Sequence, residues 1–105
     1  MRVAQRHEAQ LLRKEAGRWL RELREKCGLS QRELADKVGA EIYTLISQLE
    51  HGRGRILPDR YLVWARTLGV ERHEFVRRLT YYYDPGTYRI VFQDHARPKR
   101  LKVPF

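Results

Sequence analysis

A single cysteine, Cys27, stands in this 105-residue chain, so no disulfide can close within it. Of the two serines, Ser30 and Ser47, neither is left over as a nucleophile, because each has a place in a helix pattern described below. His7, His51, His73 and His95 are scattered, and none stands at metal-ligand spacing from Cys27 or from another histidine. Glu71, His73 and Glu74 are close in sequence but make no zinc motif, and no glycine-rich phosphate loop follows a strand pattern. These gaps argue against an enzyme and against any cofactor. No apolar stretch approaches the ~18 residues of a membrane span. The first fourteen residues are polar and charged rather than a signal peptide, which places the expected site of action in a prokaryotic cytoplasm.

Positive charge is what the chain has in excess, a formal +9 with arginine far outnumbering lysine. The balance is +4 over residues 1–28, zero over 29–57, +2 over 58–83 and +3 over 84–105. A neutral middle with basic flanks suits a polyanion, because phosphates reward Lys and Arg through counterion release.

The neutral block holds the densest pattern, GLSQRELADKVGAEIYTLISQLEHG at residues 28–52. Ser30 and Glu33 form an S-x-x-E capping box, with Leu29 and Leu34 placed as a hydrophobic staple. Leu34, Ala35 and Val38 give a helix over about 31–37 a buried stripe, and Gly39 stops it. A second helix is predicted from about Glu41 or Ile42 to Glu50, with Ile42, Leu45, Ile46 and Leu49 inward. Tyr43, Thr44, Ser47, Gln48 and His51 fall on its other face, mostly uncharged donors and acceptors of the kind that read base edges.

The motifs GLSQ-x-ELA-x-KVG (28–39) and IS-x-LE-x-GR (46–53) resemble the helix-turn-helix of the phage repressor and Cro family, called XRE-like. Gly17-x-x-Leu20-Arg21-x-Leu23-Arg24 looks like that family's first helix, and ARTLGV (65–70) with Phe75 like its fourth and the start of its fifth. The resemblance covers about residues 16–80. Two departures stand out: Gly39 to Glu50 is one residue longer than the family spacing, and Gly52 to Gly69 differs from the common length. The resemblance implies an all-α, five-helix repressor-type domain over 16–83, with an N-terminal helical extension over 1–15 and a C-terminal segment over 84–105. It implies a sequence-specific regulator of double-stranded DNA, in all expectation a repressor, acting as a homodimer. By the same resemblance Tyr43, Thr44 and Gln48 would read bases, while Gln31, Ser47, His51, Arg53 and Arg55 would contact phosphates.

The flanks read more simply. Residues 2–15 hold helix formers without a breaker, offering Leu11 and Leu12 to a partner or basic side chains to phosphate. Gly17 marks an expected discontinuity. Trp19, Leu20, Leu23 and Cys27 are the expected core side of 17–27, with Arg18, Arg21 and Arg24 solvated. Pro58 suits the first turn of a helix that buries Tyr61 or Leu62, Trp64, Ala65 and Leu68. ERHEFVRRLTYY makes a fifth helix with Phe75, Val76 and Leu79 inward. Asp84-Pro85 opens either a short helix or a strand over 86–93, the helix being favoured. Tyr82, Tyr83, Tyr88, Ile90 and Phe92 exceed what a five-helix core needs, and are assigned to a self-association surface. Arg97, Lys99, Arg100 and Lys102 form a basic tail suited to phosphates. The alternative from another class is an antitoxin that binds its own promoter and covers a partner toxin with its aromatic C-terminal region.

Overall fold

The computed structural model describes residues 2–93, with side chains from Arg6 onward; Arg97, Lys99, Arg100 and Lys102 lie outside the described residues. The described chain is all helix, without a strand: α1 (Arg2–Lys26), α2 (Gln31–Val38), α3 (Thr44–Glu50), a 3₁₀ turn (Pro58–Arg60), α4 (Tyr61–Leu68), α5 (Arg72–Tyr83), α6 (Pro85–Tyr88) and a π-helical turn (Arg89–Gln93).

The break expected at Gly17 is absent, and α1 runs through it without interruption. Gly17 is buried where α1 crosses the end of α3. A Cβ there would lie 2.3 Å from the Glu50 carbonyl oxygen and 2.7 Å from that of Leu49. The glycine therefore permits close backbone approach rather than a bend.

α2 starts as its sequence predicts. Ser30 Oγ accepts from Glu33 N at 3.0 Å, and Ser30 N donates to Glu33 Oε1 at 2.8 Å. The backbone bond from Ser30, with the hydroxyl contact second, holds the Glu33 carboxyl below its ordinary range. Leu34, Ala35 and Val38 are buried, and Gly39, at φ 76°, donates to the Ala35 carbonyl and ends the helix.

α3 begins at Thr44, later than the expected Glu41 or Ile42, so the additional residue lengthens the turn. This overturns half of its predicted inner face. Ile46 and Leu49 are buried, but Ile42 is 59% and Leu45 42% exposed. Ile42 precedes the helix and Leu45 falls on its flank, beyond the Ile46–Leu49 stripe. Both line an open groove of about 550 Å³ whose floor includes Val38, Ile56 and Trp64.

Pro58 opens the 3₁₀ turn that leads into α4, and Gly69 closes α4 in the left-handed region at φ 73°. Glu71 caps α5 by accepting from His73 N and Glu74 N. Asp84 then caps α6: its carboxylate accepts from Thr87 N at 3.3 Å and from Thr87 Oγ1 at 2.6 Å. With Pro85 in the first turn, this cap coils an aromatic, β-branched segment that would otherwise suit a strand.

The core joins Trp19 and Leu20 of α1, Leu34 and Val38 of α2, Ile46 and Leu49 of α3, Trp64 and Leu68 of α4, and Phe75 and Leu79 of α5. Trp19 packs on Phe75 at 5.6 Å and on Tyr82 at 6.2 Å between ring centroids. Cys27, expected in this core, is exposed instead, its Sγ 3.5 Å from the Leu68 carbonyl oxygen. Tyr82, Tyr83 and Tyr88 are also corrected. They are 6%, 9% and 5% exposed within a single chain, completing its core rather than offering a face to a second copy. Tyr82 is covered by Trp19 of α1 and Tyr83 by the loop at Arg55 and Ile56, while the turn at Asp84 folds α6 back against α5 and sets Tyr88 edge-on to Tyr81 at 5.3 Å. Ile90, Val91 and Phe92 stay outside, at 71%, 50% and 37% exposure.

Candidate nucleic-acid interface

At 3.6 residues per turn, Thr44, Gln48 and His51 fall within about 60° of one another around α3. All three are exposed, and Ser47 beside them is half-buried. Among the described residues the side chains of Thr44 and Gln48 make no hydrogen bond, so their donors and acceptors are open. Tyr43, just before the helix and 40% exposed, is held from one side: the Arg32 guanidinium of α2 lies 4.2 Å from its ring centroid.

The opposite side of α3 is locked. Glu50 is the anchor, its side chain only 3% exposed, and it receives three donors. Arg24 Nε donates to Oε2 at 2.6 Å and Arg24 Nη2 to Oε1 at 3.1 Å. Gln31 Nε2 donates to Oε1 at 3.1 Å. Arg24 Nη1 also donates to the Leu29 carbonyl at 2.8 Å, so one guanidinium ties α1, the entrance of α2 and the end of α3 together. The Glu50 hydrogen bond raises the Arg24 pKa further above its ordinary value, which keeps the guanidinium charged. Gln31, expected at a phosphate, is half-buried and already gives one N–H to Glu50, so its position is fixed by the same network.

His51 closes α3 with its ring Nδ1 2.8 Å from the Ser47 carbonyl oxygen. A carbonyl only accepts, so Nδ1 carries the proton there, and Nε2 donates to a phosphate only when the ring is charged. The following loop is ordered by its backbone. Gly52 sits at φ 81°, where a Cβ would meet Lys14 Cα at 3.0 Å, and Arg53 N donates to the Gln48 carbonyl at 2.8 Å. The exposed Arg53 side chain therefore leaves from a fixed point beside α3. Arg55 is exposed as well, its guanidinium 5.2 Å from the Tyr83 ring centroid. Tyr83 secures the loop from beneath, its hydroxyl accepting from Ile56 N at 3.4 Å; burial pushes the phenol up to about 12.

The residues expected to read bases (Tyr43, Thr44, Gln48) and those expected at phosphates (Ser47, His51, Arg53, Arg55) thus lie along α3 and the segments flanking it, with Gln31 joined to them from the start of α2 through Glu50. Ile90 and Phe92 do not join them; Phe92 lines a separate groove with Leu62 and Val76. Sequence reading missed the Arg24–Glu50 anchor by placing Arg24 on a solvated face. One signal was available. Arg24 and Glu50 each stand four residues after an inward apolar residue, Leu20 and Ile46, so both continue a buried stripe. Ile42 was misread because the apolar period was extended into the turn, and Leu45 because it falls on the flank of α3, beyond the buried stripe.

Among the described residues no group of His, Cys, Asp and Glu is placed to hold a metal ion, and no helix is long and apolar enough to cross a membrane. A helix-turn-helix family model matches residues 20–75, more than half of the chain. The match includes Arg24, Gln31, α3 and Arg55, and ends within α5. No curated protein matches the chain.

Proposed function

The chain belongs to the XRE-like helix-turn-helix family of DNA-binding transcription regulators, and from that premise we propose that it is a sequence-specific repressor reading the major groove with α3. The observation that carries this reading is the asymmetry of α3. Its Glu50 side is fixed by three donors, while Thr44 and Gln48 on the other side are exposed and uncommitted. A rigid rod with open donors and acceptors can discriminate base edges without first breaking contacts of its own. Tyr43, Thr44 and Gln48 read bases. Gln31, Ser47, His51, Arg53 and Arg55 set the register on the phosphates. Ile42, exposed at the entrance to the helix, adds an apolar contact of the kind that suits a thymine methyl.

The protein acts as a homodimer, and the exposed Ile90, Val91 and Phe92 supply the apolar patch for it. Selecting bound sequences from a random duplex pool is expected to enrich a two-fold symmetric site, its half-site centres one helical turn, roughly 34 Å, apart. A pool that stays random after repeated selection overturns the reading. Replacing Ile90 and Phe92 by serine should leave the helical content intact and give a monomer by light scattering. A dimer that persists removes this patch from the interface. A wild-type chain that is monomeric and co-purifies at fixed stoichiometry with a small partner protein favours the antitoxin role instead.

A further inference from the structure

We propose that α1, from its midpoint at Lys14 to Arg21, carries a second phosphate track, so that the DNA backbone is gripped beyond the reading helix and its loop; this rests on the DNA-binding reading above. Lys14, Arg18 and Arg21 of α1 line one open groove with Gln31 at the start of α2 and His51 at the end of α3. The groove encloses about 580 Å³. Lys14, Arg18 and Arg21 recur at four- and three-residue spacing, which places them along one face of the helix.

Charge decides what fits. The floor holds Arg24 and Glu50, which neutralise each other. Above it, Lys14 and Arg18 are exposed and form no ion pair among the described residues. Among the described residues Arg21 is engaged only by Glu25, in a pair 60% and 53% exposed that a phosphate can displace at little loss. Glu15 and Glu22 of the same helix do not line the groove. Among the described residues its only carboxylate is Glu50, already engaged by Arg24 and Gln31, while its rim is cationic, and α2 directs its positive end at it through Gln31.

Continuity decides the occupant. The Lys14 backbone lies against Gly52, where an added Cβ would be 3.0 Å from Lys14 Cα. Arg13 Nη1 donates to the Gly54 carbonyl at 3.5 Å. The α1 track therefore joins the loop that carries Arg53, and a basic band runs from Arg53 past His51 to Lys14, Arg18 and Arg21. A single small anion needs no band. A phosphodiester backbone, with its repeated charges, does. Lys14 and Arg18 lie outside the matched residues 20–75 and Arg21 just inside them, so the track straddles the start of the matched segment.

The test compares wild type, Lys14→Ala/Arg18→Ala and Arg53→Ala on the selected duplex across a salt series, with hydroxyl-radical footprinting at low salt. Both α1 side chains are exposed and unbonded among the described residues, so thermal stability should be unchanged. Each lost phosphate contact lowers the salt slope by about 0.9. The double variant should therefore lose about 1.8 of slope, and its weakening between 50 and 200 mM salt should shrink about tenfold relative to wild type. Its base preference should remain, and its backbone protection should contract on the flank of each half-site. The conservative pair Lys14→Arg/Arg18→Lys should retain the wild-type slope and footprint. An unchanged slope or an unchanged footprint in the double variant, with Arg53→Ala showing its own loss, overturns the α1 track alone. A wild type that selects no duplex at all sinks the DNA reading beneath it.

Discussion

Glu50→Ala is expected to destabilise the protein by about 3–5 kcal/mol, because it strands the Arg24 guanidinium in a nearly closed site. Arg24 has an 11% exposed side chain and gives two of its donors to Glu50, leaving only the bond to the Leu29 carbonyl once the carboxylate is gone. Gln31 loses its acceptor at the same time. In a domain of this size each kcal/mol moves Tm by roughly 4–8 °C, so the drop should be plain in a thermal melt. The paired variant Arg24→Met/Glu50→Leu separates charge from packing. Removing both ions and filling the space with apolar atoms should restore most of the stability, since a buried pair is often no better than a hydrophobic replacement. It should not restore DNA affinity, because Gln31 still lacks the acceptor that positions it. A melt of Glu50→Ala within about 4 °C of wild type would show that the network does not hold α3.

Gly17→Ala should also lower stability, by roughly 1–3 kcal/mol, although helix propensity alone predicts a gain of about 1 kcal/mol. The two effects have opposite signs, so the melt decides between them. The new methyl would sit 2.3 Å from the Glu50 carbonyl oxygen and 2.6 Å from its carbon, and both are backbone atoms that no rotamer change can move. α1 and α3 must separate, disturbing the Arg24–Glu50 pair that bridges the same crossing. A raised Tm would mean that the crossing is looser than the structure shows, and that Gly17 is only a poor helix former.

How much of this was legible in the sequence depends on the range of the physics involved. The S-x-x-E box at Ser30–Glu33, the stop at Gly39 and the favoured helical cap at Asp84-Pro85 are local devices, closed over three to five residues, and each appears as read. The inner stripe of α2 was legible because its apolar period is unbroken; in α5 Phe75 and Leu79 are buried as read, while Val76 is only half-buried. Long-range facts were not. Nothing near Gly17 announces that a carbonyl 33 positions later will press on it. The start of α3 was misplaced because Ile42 carries an apolar side chain in phase with the helix but stands in the turn before it. The tyrosines of α5 and α6 were assigned to a partner because the sequence does not reveal that Tyr82 meets Trp19 of α1, that Tyr83 meets the loop at Ile56, or that Asp84 folds Tyr88 back on α5. The exposed polar face of α3 was legible as a set, since its polarity and its position away from Ile46 and Leu49 follow from the helical period.

The central claim is that α3 offers open side chains to base edges from a rigid seat. The direct measurement is sequence selection and affinity for Gln48→Ala beside wild type. Gln48 is exposed and its side chain is unbonded among the described residues, so the variant should melt like wild type. It should lose about 1–3 kcal/mol on the preferred duplex, with the preference relaxed at one base pair per half-site and an unaltered salt slope. An unchanged preference and affinity, in a protein that still binds DNA, would contradict the claim.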